Sequence, residues 1–262
     1  YGAAGAGARV MTSSSSPGIS LKAEGISYIA GAELPAVIVN IMRGGPGLGS
    51  IQAAQSDYFQ ATKGMAHGDF CLPVLAPASV QEAVDLTIEA FELADRYRNP
   101  VMIAGDGVIG QMAEPVEFKK EVDPDELPEK EWTATGAKGR EKNVISCLAM
   151  DAKNLEDHNH KLQKKYEQMK KSEVRVETYN MDDADIAIVA YGTTARIASS
   201  ALELAEEQGL KVGLIRPITL FPFPYDVIEK AVEEVNKFLV VEMSEGQMIE
   251  DVNLAVKDKK PV

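Results

Sequence analysis

The chain has 262 residues, 45% of them apolar, and its 27 basic and 40 acidic side chains give a formal charge of −13. An apolar share of that size excludes a disordered polypeptide, and the length allows two ordinary domains or one large one. The negative balance argues against a nucleic-acid surface, and the lack of any run of about eighteen apolar residues predicts no membrane span. Residues 1–8 have neither the basic nor the apolar segment of a signal peptide and read as an internal stretch of something longer. Cys71 and Cys147 stand too far apart in sequence to suggest a disulfide framework or an iron–sulfur ligand set, which fits a reducing cytoplasm.

Short apolar runs then alternate with segments of helical period, the pattern of parallel α/β architecture. In chain order we predict a strand over 9–12, a helix over 19–31, a strand over 36–42, a helix near 51–62, a strand over 72–76, a helix over 79–98 and a strand over 100–104. The last of these helices carries the clearest signal. Val80, Ala83, Val84, Thr87, Ile88, Phe91 and Ala94 recur at three- and four-residue steps, with Ser79 placed as the cap and Glu82 completing a capping box. From 110 to about 177 the period is lost. Pro115, Pro124 and Pro128 break the front of this connection, the acidic stretch 114–131 reads as solvated, and 151–171 reads as an exposed helix with Leu155, Leu162, Tyr166 and Met169 among its few apolar positions. Periodicity returns at Asp185, with strands over 186–191, 211–215 and 238–242, helices over 194–207 and 225–235, and a further helix beginning near Gly246: a second, smaller α/β domain.

Three segments hold residue types suited to chemistry. Residues 12–18, Thr-Ser-Ser-Ser-Ser-Pro-Gly, lie between a strand and a helix. Small hydroxyl residues followed by Pro and Gly leave backbone amides free at a helix start, which suits an anion or a polar heterocycle; a flexible linker or plain capping would look the same. Residues 40–49, Asn-Ile-Met-Arg-Gly-Gly-Pro-Gly-Leu-Gly, deliver Arg43 to the carboxyl end of an apolar strand, where open α/β sheets bind ligands. A guanidinium presents a planar fork of donors to a carboxylate, although a surface arginine before a turn remains the alternative. Gly105-Asp106-Gly107 resembles the opening of the metal–diphosphate motif of thiamin enzymes. That motif needs downstream asparagines to share a Mg2+ ion, and residues 129–136 contain none, so we exclude a complete metal site in this chain. His158 and His160 point to different faces of a polar helix and read as surface histidines. His67 has no support as a catalytic base, and Gly192-Thr193-Thr194 reads as simple N-capping rather than a phosphate site.

Residues 12–25, Thr-Ser-Ser-Ser-Ser-Pro-Gly-Ile-Ser-Leu-Lys-Ala-Glu-Gly, and 34–47, Leu-Pro-Ala-Val-Ile-Val-Asn-Ile-Met-Arg-Gly-Gly-Pro-Gly, together resemble the alpha subunit of 2-oxoacid:ferredoxin oxidoreductases. The likeness runs over nearly the whole chain, and residues 132–139 and 157–166 most resemble the 2-ketoisovalerate, or branched-chain, type. The resemblance implies a pyrimidine-type thiamin-diphosphate-binding domain over 1–110, truncated at its N-terminus. A connecting segment with an exposed helix follows over 111–177. A transketolase C-terminal-like domain over 178–262, truncated at its C-terminus, would serve mainly in assembly. Both domains would have parallel or mostly parallel sheets with helices on both faces. The implied reaction is oxidative decarboxylation of a 2-oxoacid, best matched to 2-ketoisovalerate, to acyl-CoA and CO2. Electrons would pass to iron–sulfur clusters on other subunits and then to ferredoxin.

By the same resemblance Ser13, Ser14, Pro17 and Gly18 line the approach to the aminopyrimidine of thiamin diphosphate, and Arg43 pairs with the 2-oxoacid carboxylate. A partner subunit shares the cofactor and holds its diphosphate and Mg2+. The family's N-terminal segment, with a substrate-contacting threonine and the glutamate that activates the pyrimidine ring, has no counterpart in this sequence, so the chain as written is expected not to be catalytic alone. Two alternatives stay open within enzymes: 2-oxoglutarate or pyruvate as the substrate, or the beta-type subunit of an NAD-linked 2-oxoacid dehydrogenase complex. A scaffold module with a vestigial cofactor fold is the non-enzymatic alternative, and Arg43 beside a glycine-rich loop counts against it.

Overall fold

A computed structural model describes residues 1–118, 122–123 and 127–262. Pro124, one of the three prolines expected to break the connection, lies outside them. The elements before the second sheet are α1 (Gly2–Gly5), β1 (Met11–Ser14), α2 (Pro17–Gly31), β2 (Ala36–Met42), α3 (Tyr58–Thr62), β3 (Val74–Leu75), α4 (Val80–Tyr97), β4 (Pro100–Asp106), α5 (Gly107–Gln111) and α6 (Ala152–Ser172). They are followed by β5 (Val176–Tyr179), β6 (Ile186–Ala190), α7 (Gly192–Glu207), β7 (Val212–Pro217), β8 (Thr219–Phe221), α8 (Tyr225–Ala231), β9 (Lys237–Val241) and α9 (Met248–Val256).

The first sheet has the order β1-β2-β4-β3-β8 and the second β5-β7-β6-β9. Strands β1, β2, β4 and β3 run parallel, as do β7, β6 and β9, while β8 and β5 each close one edge antiparallel. The mostly parallel α/β expectation is therefore borne out. Alternation along buried strands divides the first sheet's side chains between two layers. Val37, Val101, Ile103 and Leu75 face one core with α4, whereas Ile38, Met102, Ala104 and Val74 join α2 and much of the second sheet in another. That shared core continues through Ala187, Val189, Tyr191 and Ile215. The opposite face of the second sheet packs Ile188 and Leu214 on Ala195, Ala198 and Leu202 of α7.

Several expectations need correction. The helix expected near 51–62 is confined to α3, because Gln55 and Asp57 bond to Met243, Tyr191 and Ser16 instead of joining a helical ladder. Helix α6 is not an exposed spacer: Leu162, Tyr166 and Met169 are buried against α4, at the i, i+4 and i+7 spacing of one face. Its N-cap is Asp151, whose carboxylate accepts from the Asn154 amide. His158 is half-buried, with Nε2 2.8 Å from the Gly31 carbonyl. Ser79 caps α4 as expected, accepting from the Glu82 amide at 3.1 Å. Glu82 itself accepts from the Ala78 amide at 2.8 Å, one residue earlier than in a capping box. The acidic stretch is not wholly solvated either, since Glu114 pairs with Arg196 and accepts from the Val80 amide. Strands β5 and β8 were not expected.

Candidate functional site

The carboxyl ends of β1, β2 and β4 lie side by side, with Ser14 in register with Asn40 and Met42 with Asp106. Each end supplies a turn into the space above the sheet, the usual position for ligands in this architecture. Ser13 and Ser14 are the last residues of β1 rather than part of a loop, and Pro17 is the first residue of α2, where a missing N–H costs nothing. A Cβ on Gly18 would stand 1.9 Å from the Ser14 Oγ, so any larger residue there would turn that hydroxyl aside. The Ser13 and Ser14 hydroxyls make no hydrogen bond among the described residues. Lys22 folds back on the strand below them, donating to the Thr12 hydroxyl at 2.7 Å and the Ser13 carbonyl at 2.8 Å.

Between Ser14 and Pro17 the chain turns through Ser16, which has φ +31°. A side chain in that region costs roughly 1–3 kcal/mol and persists only where neighbours over-determine it. Here they do. The Ser16 amide donates to Asn40 Oδ1 at 3.0 Å, its hydroxyl donates to Asp57 at 2.6 Å, and the same hydroxyl accepts from the Arg43 amide at 3.1 Å. Asn40 Nδ2 donates to the same Asp57 oxygen at 2.9 Å. Asp57 precedes α3 without capping it, so its carboxylate is committed to these two turns. The serine segment and the Arg43 loop, separate in the sequence reading, are thus one structure joined by Ser16, Asn40 and Asp57.

Arg43 follows β2 directly and pairs as an antiparallel bridge with Ala53. Its Nη1 donates to the carbonyls of Leu48 and Ser50, the latter at 3.1 Å. Gly49 (φ +61°) allows this closure, because a Cβ there would lie 1.8 Å from the Gly44 carbonyl oxygen. Among the described residues no carboxylate stands within ion-pair distance of the guanidinium. Its charge is oriented by neutral dipoles and left uncompensated, an arrangement that favours an incoming anion.

Asp106 behaves differently. It is buried, with Oδ1 accepting from the amides of Val108 at 2.9 Å and Ile109 at 3.3 Å and from the Thr193 hydroxyl at 2.9 Å. The oxygen that would lead a metal–diphosphate motif is occupied as a helix cap and a tie to the second sheet. This overturns the simple capping role expected of residues 192–194: Tyr191 is the cap position, without a side-chain bond, and Thr193 reaches Asp106 instead. His67 and His160 are exposed and away from these turns.

The residues present fit the heterocyclic end of a thiamin cofactor, while Asp106, the candidate for its metal end, is engaged through Oδ1 as a cap. The free Ser14 hydroxyl beside Gly18 suits the polar edge of a planar heterocycle, while Ser13, its neighbour on β1, faces the other side of the sheet. Ser16 and Asn40 were missed by sequence reasoning, although an asparagine inside the apolar run 36–42 was a visible signal. Asp57 had no local signal.

Comparison with known proteins gives a consistent result. Residues 1–181 match the family model described as pyruvate flavodoxin/ferredoxin oxidoreductase, thiamine diphosphate-binding, and residues 184–262 match pyruvate:ferredoxin oxidoreductase core domain II. The chain is 54% identical over 255 residues to ketoisovalerate oxidoreductase subunit VorB of Methanothermobacter thermautotrophicus, covering 97% of this chain and 72% of that one. It is 36% identical to 2-oxoglutarate synthase subunit KorA of the same organism, over 96% of this chain and 73% of the other. Among solved structures, the 2-oxoglutarate:ferredoxin oxidoreductase of Magnetococcus marinus superposes with a TM-score of 0.83 at 24% identity, covering all of this chain and 51% of that one. At that identity the likeness is one of fold.

Proposed function

This chain belongs to the 2-oxoacid:ferredoxin oxidoreductase family as an alpha-type subunit, and from that premise we propose that it takes part in oxidative decarboxylation of 2-ketoisovalerate to an acyl-CoA and CO2. The observation that carries the reading is Arg43: a guanidinium at the carboxyl end of a parallel strand, oriented by backbone carbonyls and free of any carboxylate among the described residues. It binds the 2-oxoacid carboxylate and holds the reacting carbonyl in place, a contact worth about 1.5–3 kcal/mol for a hydrogen bond to a charged group. Ser13, Ser14, Pro17 and Gly18 line the approach of the aminopyrimidine, and the missing side chain at Gly18 leaves the Ser14 hydroxyl uncovered.

Thiamin diphosphate, when bound, supplies the carbanion chemistry that the side chains here lack. Its diphosphate and Mg2+ are held by a partner subunit, consistent with the engagement of Asp106 in a cap. Iron–sulfur clusters on other subunits pass electrons to ferredoxin, and coenzyme A accepts the acyl group. No helix among the described residues is long and apolar enough to cross a membrane, and the reading places the complex in the cytoplasm. The stronger identity to a ketoisovalerate subunit than to a 2-oxoglutarate one favours the branched-chain substrate.

The test is coenzyme-A-dependent reduction of a viologen dye by the subunit co-expressed with its partner chains, with 2-ketoisovalerate, 2-oxoglutarate and pyruvate assayed in parallel. We expect 2-ketoisovalerate to give the highest kcat/KM. A higher value for either of the others overturns the substrate. No reduction with any of them, by a complex loaded with thiamin diphosphate and iron–sulfur clusters, overturns the activity.

A further inference from the structure

We infer that Gln55 is a positioning residue for Arg43, and that the second sheet is therefore part of the substrate site rather than only a means of assembly. The inference rests on the reading of Arg43 as the carboxylate-binding group. The segment joining β2 to α3 includes Gly44, Gly45, Gly47 and Gly49. Glycine loses more backbone freedom on ordering than any other residue, so this loop does not hold an arginine still by itself. Its orientation has to come from where the loop is anchored.

One anchor is the backbone bridge between Arg43 and Ala53. Two residues further on, Gln55 is fully buried, and its polar groups all bond to the second unit. Its amide donates to the Met243 carbonyl at 2.8 Å, and its carbonyl accepts from the Tyr191 hydroxyl at 3.1 Å. The side-chain Nε2 donates to the Tyr191 carbonyl at 2.9 Å. Oε1 accepts from the Met243 amide at 3.0 Å and the Thr194 hydroxyl at 3.3 Å. Gly192, at φ +56°, leaves room for this amide, since a Cβ there would stand 3.2 Å from Nε2. From below, the turn of the first sheet closes on the bridge, because a Cβ on Gly107 would lie 3.2 Å from the Ala53 Cα. The path from the second sheet to Arg43 is therefore short and continuous: Met243, Tyr191 and Thr194 fix Gln55, Gln55 fixes Ala53, and Ala53 pairs with Arg43.

Joining the two sheets does not by itself require Gln55. Asp251 on α9 accepts from Tyr58, Lys63 and Tyr225, and Thr193 ties α7 to Asp106. A fully buried amide beside the loop is costly unless every atom is bonded, and its distinguishing property is that it fixes the direction in which the loop leaves the bridge. An arginine that wanders with its loop binds an anion less tightly, because ordering it is then charged against the contact.

The experiment compares Gln55→Met with Tyr58→Phe in the assembled complex. Two quantities are read: the kinetic constants for the 2-oxoacid, and amide hydrogen exchange over residues 44–52. We expect Gln55→Met to raise KM about tenfold, a weakening of the Arg43 contact by about 1.4 kcal/mol, with kcat nearly unchanged and exchange accelerated over 44–52 but not in α4. Tyr58→Phe removes a link between the same units and should lower thermal stability without moving KM. If Gln55→Met melts earlier while KM and loop exchange stay at their original values, the glutamine is only a cross-link and the inference is wrong. Faster exchange throughout the chain, with kcat falling as KM rises, overturns it as well. Should Gln55→Met fail to assemble, Thr194→Val removes one of its bonds from the second sheet and decides the question, through a smaller rise in KM or none. Arg43→Ala measured alongside separates the two claims. A KM raised by Gln55→Met but not by Arg43→Ala refutes the role of Arg43, and the reverse pattern refutes only the role of Gln55.

Discussion

Arg43 and Arg216 invite comparison, because each stands at the carboxyl end of an apolar parallel strand and follows two large apolar residues. Arg216 is buried near the end of β7 and is held by two carboxylates, Glu82 in a two-point pairing and Glu177 at 2.7 Å. Arg43 is half-buried and held by two carbonyls. A charge matched by carboxylates is neutralised within the fold and joins elements, here α4, β5 and β7. A charge matched only by dipoles is oriented and still available to a ligand. Arg43 is held by neighbours five and seven positions away, whereas the carboxylates on Arg216 stand 39 and 134 positions away, so strand position alone does not tell a neutralised arginine from an available one.

The largest effect that would sharpen this comparison is on stability. Arg216→Met should cost about 3 kcal/mol by chemical denaturation, the low end for a broken buried pair, because Glu82 and Glu177 are partly exposed and regain water. KM for the 2-oxoacid should not change; a raised KM would show that Arg216 also serves the site. Burial pushes the Glu82 carboxyl upward, but Arg216 and the Ala78 amide outweigh this and hold it below its ordinary value of 4.5. The stability linked to that shift is present above 4.5 and lost as pH falls through the lowered value. The variant should lose this part of its acid sensitivity.

Next in size is Arg43→Ala, which should raise KM between about tenfold and a hundredfold, the equivalent of 1.5–3 kcal/mol. Its stability should change far less than in the Arg216 variant. Arg43→Lys should recover the charge without the planar fork and give an intermediate KM. A KM unchanged in both variants would place the carboxylate elsewhere.

The smallest effect concerns Lys165, a cation of a third kind at the opposite end of the first sheet. Burial drives its ammonium down from 10.5 to about 8, although Glu33 pulls it the other way. Between those values the unfolded chain holds the proton more often than the folded one, so this residue's contribution to stability improves as pH rises from about 8 towards 10.5. Lys165→Met should remove that rise, measured as the difference in melting temperature between wild type and variant at pH 8 and 9.5. A difference independent of pH would mean that the ammonium stays charged throughout.

How much of this was legible in the sequence followed the range of the interactions. Strand β2 and helix α4 matched their expected spans closely, because alternation, helical period and the Ser79 cap are local signals. The buried face of α6 was also written in the sequence, in the spacing of Leu162, Tyr166 and Met169, but so many charges around it suggested a solvated helix. Strand β5 gave no alternation to read, its residues being half-buried or exposed. The segment 51–57 was misread as helical because Gln55 and Asp57 find their partners 136 and 41 positions away. Composition along a loop does not reveal such distances. Arg43 could be singled out from residue type and strand position, and Gly18 from the family resemblance; Asp57 and Gln55, which hold the turns around them, could not.

The placement of β8 has a consequence for how the molecule is made. Residues 219–221 complete the first sheet by pairing with β3, whose other neighbour β4 follows it closely in the chain. While the polypeptide leaves the ribosome, the outer side of β3 stays an open edge until Phe221 has emerged, and such an edge is a template for pairing with the wrong chain. A recombinant piece ending between the two family segments, near residue 182, would keep that edge permanently. Its aggregation would then reflect a cut made inside a folding unit, and a usable shorter piece would have to retain β8.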